Sequence, residues 1–239
     1  MSLFVAYAKG GEAHIVSDTG AFTGDGKQVG QLVKAKPLTP KMGVLCGVGP
    51  WDAHSRFAWE LETLPGDFDA AANAFQITLE RVWGDYLQEN RWMTDALDAT
   101  GRTQTADGLR NYAVALTGYS EQNRSAVVFH GFCSPQGAHV EGYAAPAYAM
   151  APQPAGIDLT GKLNLPADLL KVARKQHAFL ADEARLIGWR NICGGGSIVH
   201  YRINRFKIET KVIDHFSTEL KDEQSATAPL SKDGDALHF

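Results

Sequence analysis

The strongest constraint on the fold comes from short apolar runs near the start of the chain, each bounded by residues that favour turns. Residues 3–8 and 13–17 flank a segment that contains Gly10, and this pattern predicts a β-hairpin. Residues 31–38 and 42–46 flank a Thr-Pro-Lys turn, which predicts a second hairpin. Because runs of this length are typical of strands, the chain is predicted to begin with antiparallel β-structure.

The helical signals follow these strands. Bulky apolar residues from Trp51 onward predict a first helix that ends near the Pro-Gly pair at 65–66. Asp67 is a suitable N-cap for a second helix, because apolar residues recur at helical spacing over residues 68–86. We therefore expect two consecutive helices after the first strands.

Three segments show no clear hydrophobic period: residues 19–30, which carry four glycines, the polar residues 91–108, and the Ala- and Pro-rich residues 144–156. The first two are predicted to be loops. Further elements are predicted as strands at 111–116, 125–132 and 139–143, a helix at 166–186, and strands at 197–203 and 206–216.

The order of strands, two helices, strands, helix and strands indicates an α+β fold. Two antiparallel sheets between helix layers, a four-layer αββα sandwich, would accommodate this order. We expect one domain over residues 1–216 and a polar C-terminal tail over residues 217–239.

Composition excludes several classes of function. The net charge of −4 gives no electrostatic reason to expect nucleic acid or a membrane surface as a partner. No apolar run approaches the ~20 residues of a membrane helix, and no signal peptide is recognisable, so a cytoplasmic protein is expected. Three widely spaced cysteines argue against a disulfide framework, and the scattered histidines lack metal-binding spacing. We expect no metal and no cofactor.

The first part of the chain resembles the start of a proteasome β-type subunit, including its bacterial HslV-type and Anbu-type relatives. The resemblance rests on Ser2, Asp18, Lys34 and the segment 46–52. Those proteins begin with a catalytic Thr. They carry an Asp after the second strand, a Lys at the start of the third, and a Gly-containing turn before the first helix. The resemblance implies an αββα sandwich, assembly into a homo-oligomeric ring or stacked ring, and hydrolysis of peptide or amide bonds. An unfoldase partner is left open.

The resemblance also implies roles for these residues. Removal of Met1 would expose Ser2 as the nucleophile, and its free α-amine would serve as the base. Lys34 would favour the neutral amine by charge repulsion, and Asp18 would fix and neutralise Lys34. Backbone N–H groups of Gly47, Val48 and Gly49 would form an oxyanion hole. These glycines can equally serve only to permit the strand-to-helix turn.

By the same resemblance, four small residues would line a substrate pocket: Ala21, Cys46, Pro50 and Ala53. Lys36 lies two residues beyond Lys34, and side chains two positions apart in a strand face the same side. Lys36 in such a pocket would favour an acidic group on the substrate.

The chain departs from the family pattern in three places. Its candidate nucleophile is Ser2 rather than Thr, and Asn191 stands where the family has a supporting Asp. Residues 144–156 replace the family's Ser-Gly-x-Gly segment, whereas the glycine-rich segment 193–198 matches its entry to the late strands. A catalytically inactive homologue with a structural or assembly role is therefore the alternative hypothesis, in which Asp18 and Lys34 persist as scaffold.

Overall fold

The computed structural model describes residues 2–23, 27–39, 41–145, 147–186, 192 and 194–219. Over these residues the chain has an α+β fold, as the sequence predicts. The strands are β1 (Phe4–Lys9), β2 (Glu12–Asp18), β3 (Gly20–Phe22), β4 (Gln28–Gln31), β5 (Ala35–Leu38), β6 (Gly43–Val48), β7 (Tyr112–Ser120), β8 (Ser125–Ser134), β9 (Gly137–Ala144), β10 (Ala147–Ala151), β11 (Gly196–Asn204) and β12 (Ile208–Phe216). The helices are α1 (Trp51–Thr63), α2 (Phe68–Ala99), α3 (Thr103–Leu109) and α4 (Ala167–Leu186).

The described strands form three antiparallel sheets. Sheet I has five strands in the order β10-β1-β2-β11-β12, and sheet II has five in the order β5-β6-β7-β8-β9. Strands β3 and β4 pair with each other as a short ribbon. The predicted first hairpin is confirmed, because Phe4 pairs with Ser17 and Lys9 with Glu12. In sheet I the first hairpin therefore pairs, through β2, with β11, which is one of the last two described strands.

Strand β1 is buried on both faces. Phe4, Ala6 and Ala8 pack in a hydrophobic cluster with side chains of sheet II, including Val44 and Val128. This explains why the strand reads as an unbroken apolar run, since alternate residues of a strand point to opposite faces.

The other face of β1 packs in a different cluster. Leu3, Val5 and Tyr7 lie with side chains of α4, including Leu169 and Leu180. The two faces of β1 therefore join sheet I to sheet II on one side and to α4 on the other.

Helices α1 and α2 share a third cluster with the remaining face of sheet II. Phe57 and Phe75 make an edge-to-face contact, with ring centroids 5.2 Å apart, in a cluster that includes Leu45. The predicted cap of α2 is confirmed, since the Asp67 carboxylate accepts a hydrogen bond from the Ala70 N–H at 3.2 Å. Lys41 is buried and donates a hydrogen bond to the Gly66 carbonyl just beyond the end of α1.

The prediction of a loop over residues 91–108 is wrong. Helix α2 continues to Ala99, and α3 follows after a short turn. The helix here is polar: Arg91 lies 3.7 Å from Asp95, and Arg110 pairs with Asp98 at 2.6 Å. Side-chain pairs of this kind support a solvent-facing helix that has no apolar stripe to reveal it.

One further loop prediction needs correction, and one segment without a hydrophobic period contains a strand. Residues 19–30 contain β3 and most of β4, although four glycines lie among them. The predicted strand at 31–38 is divided, because Gln31 ends β4 and the next strand begins at Ala35. Residues 144–156 contain β10, which pairs with β1 from Ala147 to Ala151. The alanines of β10 allow close packing within the sheet, but they give no hydrophobic period in the sequence.

None of the helices in the described ranges is both long enough and apolar enough to cross a membrane. Residues 220–239 of the predicted polar tail lie outside the described residues.

Stability is expected to fall in acid because burial lowers the pKa of His54, His130 and His200 to about 4. In the unfolded chain these histidines titrate near 6.5, so above that pH they are neutral in both states and the free energy of unfolding is at its full value. As the pH falls from 6.5 toward 4, the unfolded chain binds protons and the folded protein does not, so the free energy of unfolding falls. Each histidine contributes a loss of up to about 3 kcal/mol. Denaturant unfolding across this range measures the effect.

The variant His130→Phe should reduce the loss, because it removes one of the three groups. His139 is the control, since its side chain is 72% exposed, and His139→Gln should leave the pH dependence unchanged. A free energy of unfolding that stays constant between about pH 6.5 and pH 4 would contradict the prediction.

Candidate active site

The Asp18 carboxylate is the centre of the candidate site. Its side chain is fully buried at the end of β2, and Lys34 Nζ lies 2.8 Å from Oδ2. The backbone N–H of Leu3 donates to Oδ1 at 3.0 Å, and that of Gly195 donates to Oδ2 at 2.9 Å. A buried carboxylate is stable only when it is paired and hydrogen-bonded, and these three donors meet both requirements. The predicted contact between Asp18 and Lys34 is present.

Lys34 lies where the two sheets approach each other. It directly precedes β5, whose first residue, Ala35, pairs with Cys46 of β6, the residue before Gly47. Its side chain is buried, although its charge would favour solvent. The ring of Phe22 lies 6.0 Å from Nζ. Asp18 of sheet I therefore meets a lysine that leads into sheet II.

Ser2 directly precedes the residue that Asp18 holds. It is 8% exposed, and its neighbour Leu3 exchanges two contacts with Asp18, because the Asp18 N–H also donates to the Leu3 carbonyl at 3.3 Å. The start of the chain is thus fixed next to the buried Asp18–Lys34 pair. Met1 lies outside the described residues.

The turn at Gly47, Val48 and Gly49 joins β6 to α1. The ladder between β6 and β7 continues through Gly47 and Val48, whereas the ladder between β5 and β6 ends at Cys46. Among the described ladders, one edge of β6 at these residues has no strand partner. Gly49 has φ +144°, which only glycine adopts without strain. The end of the β5–β6 ladder places this turn next to Lys34, the residue before Ala35.

His54 and Tyr112 support this turn, and neither was predicted from the sequence as part of the site. His54 Nδ1 lies 2.7 Å from the Tyr112 hydroxyl, and both side chains are buried. A Cβ atom on Gly47 would lie 2.8 Å from each of them, so glycine is required for their close approach. Burial also raises the pKa of Tyr112. The signal available in the sequence is that His54 falls at helical spacing with the buried Phe57 and Leu61 of α1.

The two residues that follow Asp18 are hydrogen-bonded to the start of β11. The Thr19 hydroxyl accepts from the Ser197 N–H at 3.0 Å, and the Gly20 N–H donates to the Gly195 carbonyl at 2.8 Å. A Cβ atom on Gly196 would lie 3.0 Å from Thr19 Oγ1, so the glycine run allows this approach. The contact of Thr19 and Gly20 with the glycine segment was not predicted, because it joins segments far apart in the sequence.

The residues predicted to line a substrate pocket are not brought together at an open surface. Ala21, Cys46, Pro50 and Ala53 are all buried. Cys46 belongs to the cluster between the sheets, whereas Ala53 belongs to the cluster between the helices and sheet II. Burial raises the pKa of the Cys46 thiol, which is therefore held in its neutral form.

Lys36 lies close to an acidic side chain of its own chain. Its Nζ is 2.6 Å from Glu62 Oε2 of α1, and both side chains are about a third exposed. This pair offsets the positive charge that would favour an acidic substrate group. Lys36 and Lys34 are also not related by strand alternation, because Lys34 precedes β5.

The predicted supporting residue Asn191 lies outside the described residues, as does Cys193. The described part of the glycine segment, residues 194–198, is in place beside Asp18 and Thr19. No group of three or more metal-ligating side chains is found in the described ranges.

No protein-family model matches the chain, and a search of curated proteins gave no significant match. The geometry around Asp18 is therefore the main basis for inferring a function.

Replacing Asp18 by Asn tests the buried pair. The variant Asp18→Asn removes the carboxylate that pairs with the buried Lys34 ammonium, and the free energy of unfolding should fall by about 3–5 kcal/mol. The matched control is Glu62→Gln, which breaks the partly exposed pair with Lys36 and should cost about 1 kcal/mol or less. Equal losses in the two variants, measured by denaturant unfolding, would show that Asp18 is not the organising carboxylate.

Adding a methyl group at Gly47 tests the turn. Gly47→Ala forces His54 or Tyr112 to move and should destabilise the protein by about 1–3 kcal/mol. A Cβ atom on Gly84 in α2 would have open space around it for 4 Å beyond its own helix backbone, so Gly84→Ala should be neutral or stabilise by up to about 1 kcal/mol. Thermal unfolding measures the stability of both variants. Equal stability of Gly47→Ala and Gly84→Ala would contradict the prediction, because it would mean that the turn accepts a methyl group without cost.

Proposed function

We propose that this chain is a proteasome-like N-terminal-nucleophile hydrolase that cleaves peptide or amide bonds within a homo-oligomeric ring. The observation that carries the proposal is that one buried carboxylate binds two different groups of the candidate site. Asp18 binds Lys34 Nζ at 2.8 Å and the backbone N–H of Leu3, the residue after the candidate nucleophile, at 3.0 Å. This arrangement fixes a lysine and the start of the chain at the same place.

The proposed fold is a four-layer αββα sandwich. Its support is the set of three hydrophobic clusters: one shared by α1, α2 and sheet II, one shared by the two sheets, and one shared by sheet I and α4. Strand β1 contributes to the second and third clusters. A central strand of this kind would hold its first residues rigidly, which a terminal nucleophile requires.

The proposed chemistry begins when Met1 is removed. The Ser2 hydroxyl gives its proton to the α-amine, and Oγ attacks the carbonyl carbon of the substrate amide. The positive charge of Lys34 disfavours a second positive charge on the amine, so the amine is kept available as a base. Backbone N–H groups at Gly47–Gly49 would stabilise the oxyanion, where one donor is typically worth about 3 kcal/mol.

The second half of the reaction returns the enzyme to its first state. The C–N bond breaks, and the departing amine takes the proton held by the α-ammonium of Ser2. Water then attacks the resulting ester and loses its proton to the α-amine. The ester C–O bond breaks, the Ser2 oxygen takes that proton from the α-ammonium, and the acid product leaves.

One observation favours the alternative, an inactive structural or assembly subunit with the same fold. All four small residues expected to line the substrate pocket are buried, as is Ser2 itself. In that case the Asp18–Lys34 pair would serve stability alone.

Mass spectrometry and covalent labelling distinguish the two functions. If the proposal holds, intact mass shows loss of Met1, and a peptide epoxyketone adds to the residue at position 2. Labelling should disappear in Ser2→Ala and fall strongly in Lys34→Met, because the α-amine is then more often protonated. Ser2→Thr should restore labelling, since Thr carries the same hydroxyl at the same position.

Ser125→Ala is the control, because Ser125 lies at the start of β8 and pairs with Ser120, away from the candidate site. A protein that has lost Met1 but is not labelled would contradict the hydrolase function and favour the inactive subunit. Labelling that survives in Ser2→Ala would assign the reaction to another residue.

A further inference from the structure

A cavity of about 600 Å³ lies between the edges of the two sheets, away from Asp18. It is lined by β8, β9, β10 and the segment after β10. In the described ladders, β9 pairs only with β8 and β10 pairs only with β1, so each is the last strand of its sheet. A volume of this size is typical of sites that bind small organic molecules.

His130 supplies an unused polar group in the cavity wall. The residue is 6% exposed, and its buried Nε2 has no hydrogen-bond partner among the described residues. Its ring packs against Phe132, with centroids 3.9 Å apart, and edge-to-face against Phe4 at 6.1 Å. A buried polar atom without a partner is costly, and a ligand N–H donated to Nε2 would remove that cost.

The wall carries negative charge and aromatic surface. Glu141 accepts a hydrogen bond from the Tyr143 hydroxyl, which lowers the pKa of the carboxyl group and keeps it ionised near neutral pH. Phe132 and Tyr143 are both more than a third exposed, and Tyr148 lies beside them in the wall. The described lining residues include no Lys and no Arg.

These properties select a class of ligand. A carboxylate without a neighbouring Lys or Arg in the lining disfavours anions such as phosphate or carboxylate compounds. Aromatic faces attract cations, and their apolar surface favours a hydrophobic body attached to the charge. Neutral His130 adds one hydrogen-bond acceptor in the tautomer that carries its proton on Nδ1.

We propose that this cavity binds a small organic cation, with its ammonium or guanidinium group beside Glu141 and its apolar body among Phe132, Tyr143 and Tyr148. The site shares no residue with the candidate active site, since its β10 residues pair with β1 from Val5 to Ala8 rather than at Ser2. The proposal is thus independent of whether the chain is a hydrolase.

Titration of the full-length chain with three probes of matched shape tests the charge preference. The probes are phenethylammonium, phenethyl alcohol and hydrocinnamate, followed by ligand-observed NMR. Phenethylammonium should bind about tenfold more tightly than the neutral alcohol, and hydrocinnamate should bind more weakly than both. No binding of phenethylammonium, or binding no tighter than that of the alcohol, would overturn the proposal.

Variants locate the binding. Glu141→Gln should abolish the preference for the cation and leave the affinity for phenethyl alcohol unchanged. Glu89→Gln is the matched control, because Glu89 is similarly exposed but pairs with Arg56 on α1, and it should keep the preference. Gln153→Trp, at an exposed lining position, should weaken all three probes. A preference that survives Glu141→Gln, or affinities that survive Gln153→Trp, would refute the site.

Discussion

A buried carboxylate, Asp18, is the interaction on which much of the structure depends. Removing a charged group from water is expensive, and the cost is offset only when the charge is paired and its oxygens accept hydrogen bonds. Its donors come from the first residues of the chain, from the approach to β5 and from the glycine segment before β11. Three distant segments must therefore be in place before this carboxylate is stable.

The same requirement joins the two sheets. Asp18 ends a central strand of sheet I, and Lys34 leads into the first strand of sheet II. The interaction therefore lies at the point where the start of the chain and the turn before α1 come together. A site placed here is held by rigid elements on both sides, which is a condition for accurate catalytic geometry.

The sequence predicts the elements with a clear period better than those without one. The first hairpin and the capped start of α2 follow from local patterns, and the Asp18–Lys34 contact follows from the family resemblance. The end of α2 does not, because its polar residues are stabilised by ion pairs rather than by an apolar stripe. Strand β10 is hidden for a related reason, since its pairing with β1 depends on residues more than a hundred positions away.

Several contacts around the site depend on backbone groups and on close packing between distant segments, which residue types do not reveal. Gly195 contributes a backbone N–H, and His54 contributes a ring that fits only because Gly47 lacks a side chain. Helical spacing indicates that His54 is buried, but its contact with Gly47 and the hydrogen bond from Gly195 are not visible in the sequence. The expected pocket is the least supported part, because Cys46 and Ala53 belong to clusters on different faces of sheet II.

In the proposed hydrolase, the positive charge of Lys34, held in place by Asp18, lowers the pKa of the α-amine that removal of Met1 exposes. An NMR titration of ¹⁵N-serine-labelled protein tests it by following the α-amine of Ser2. We expect this amine to be present, to titrate below the usual value of about 8, and to titrate at a higher pH in Lys34→Met. Absence of a free Ser2 amine, or a midpoint that Lys34→Met leaves unchanged, would contradict the account.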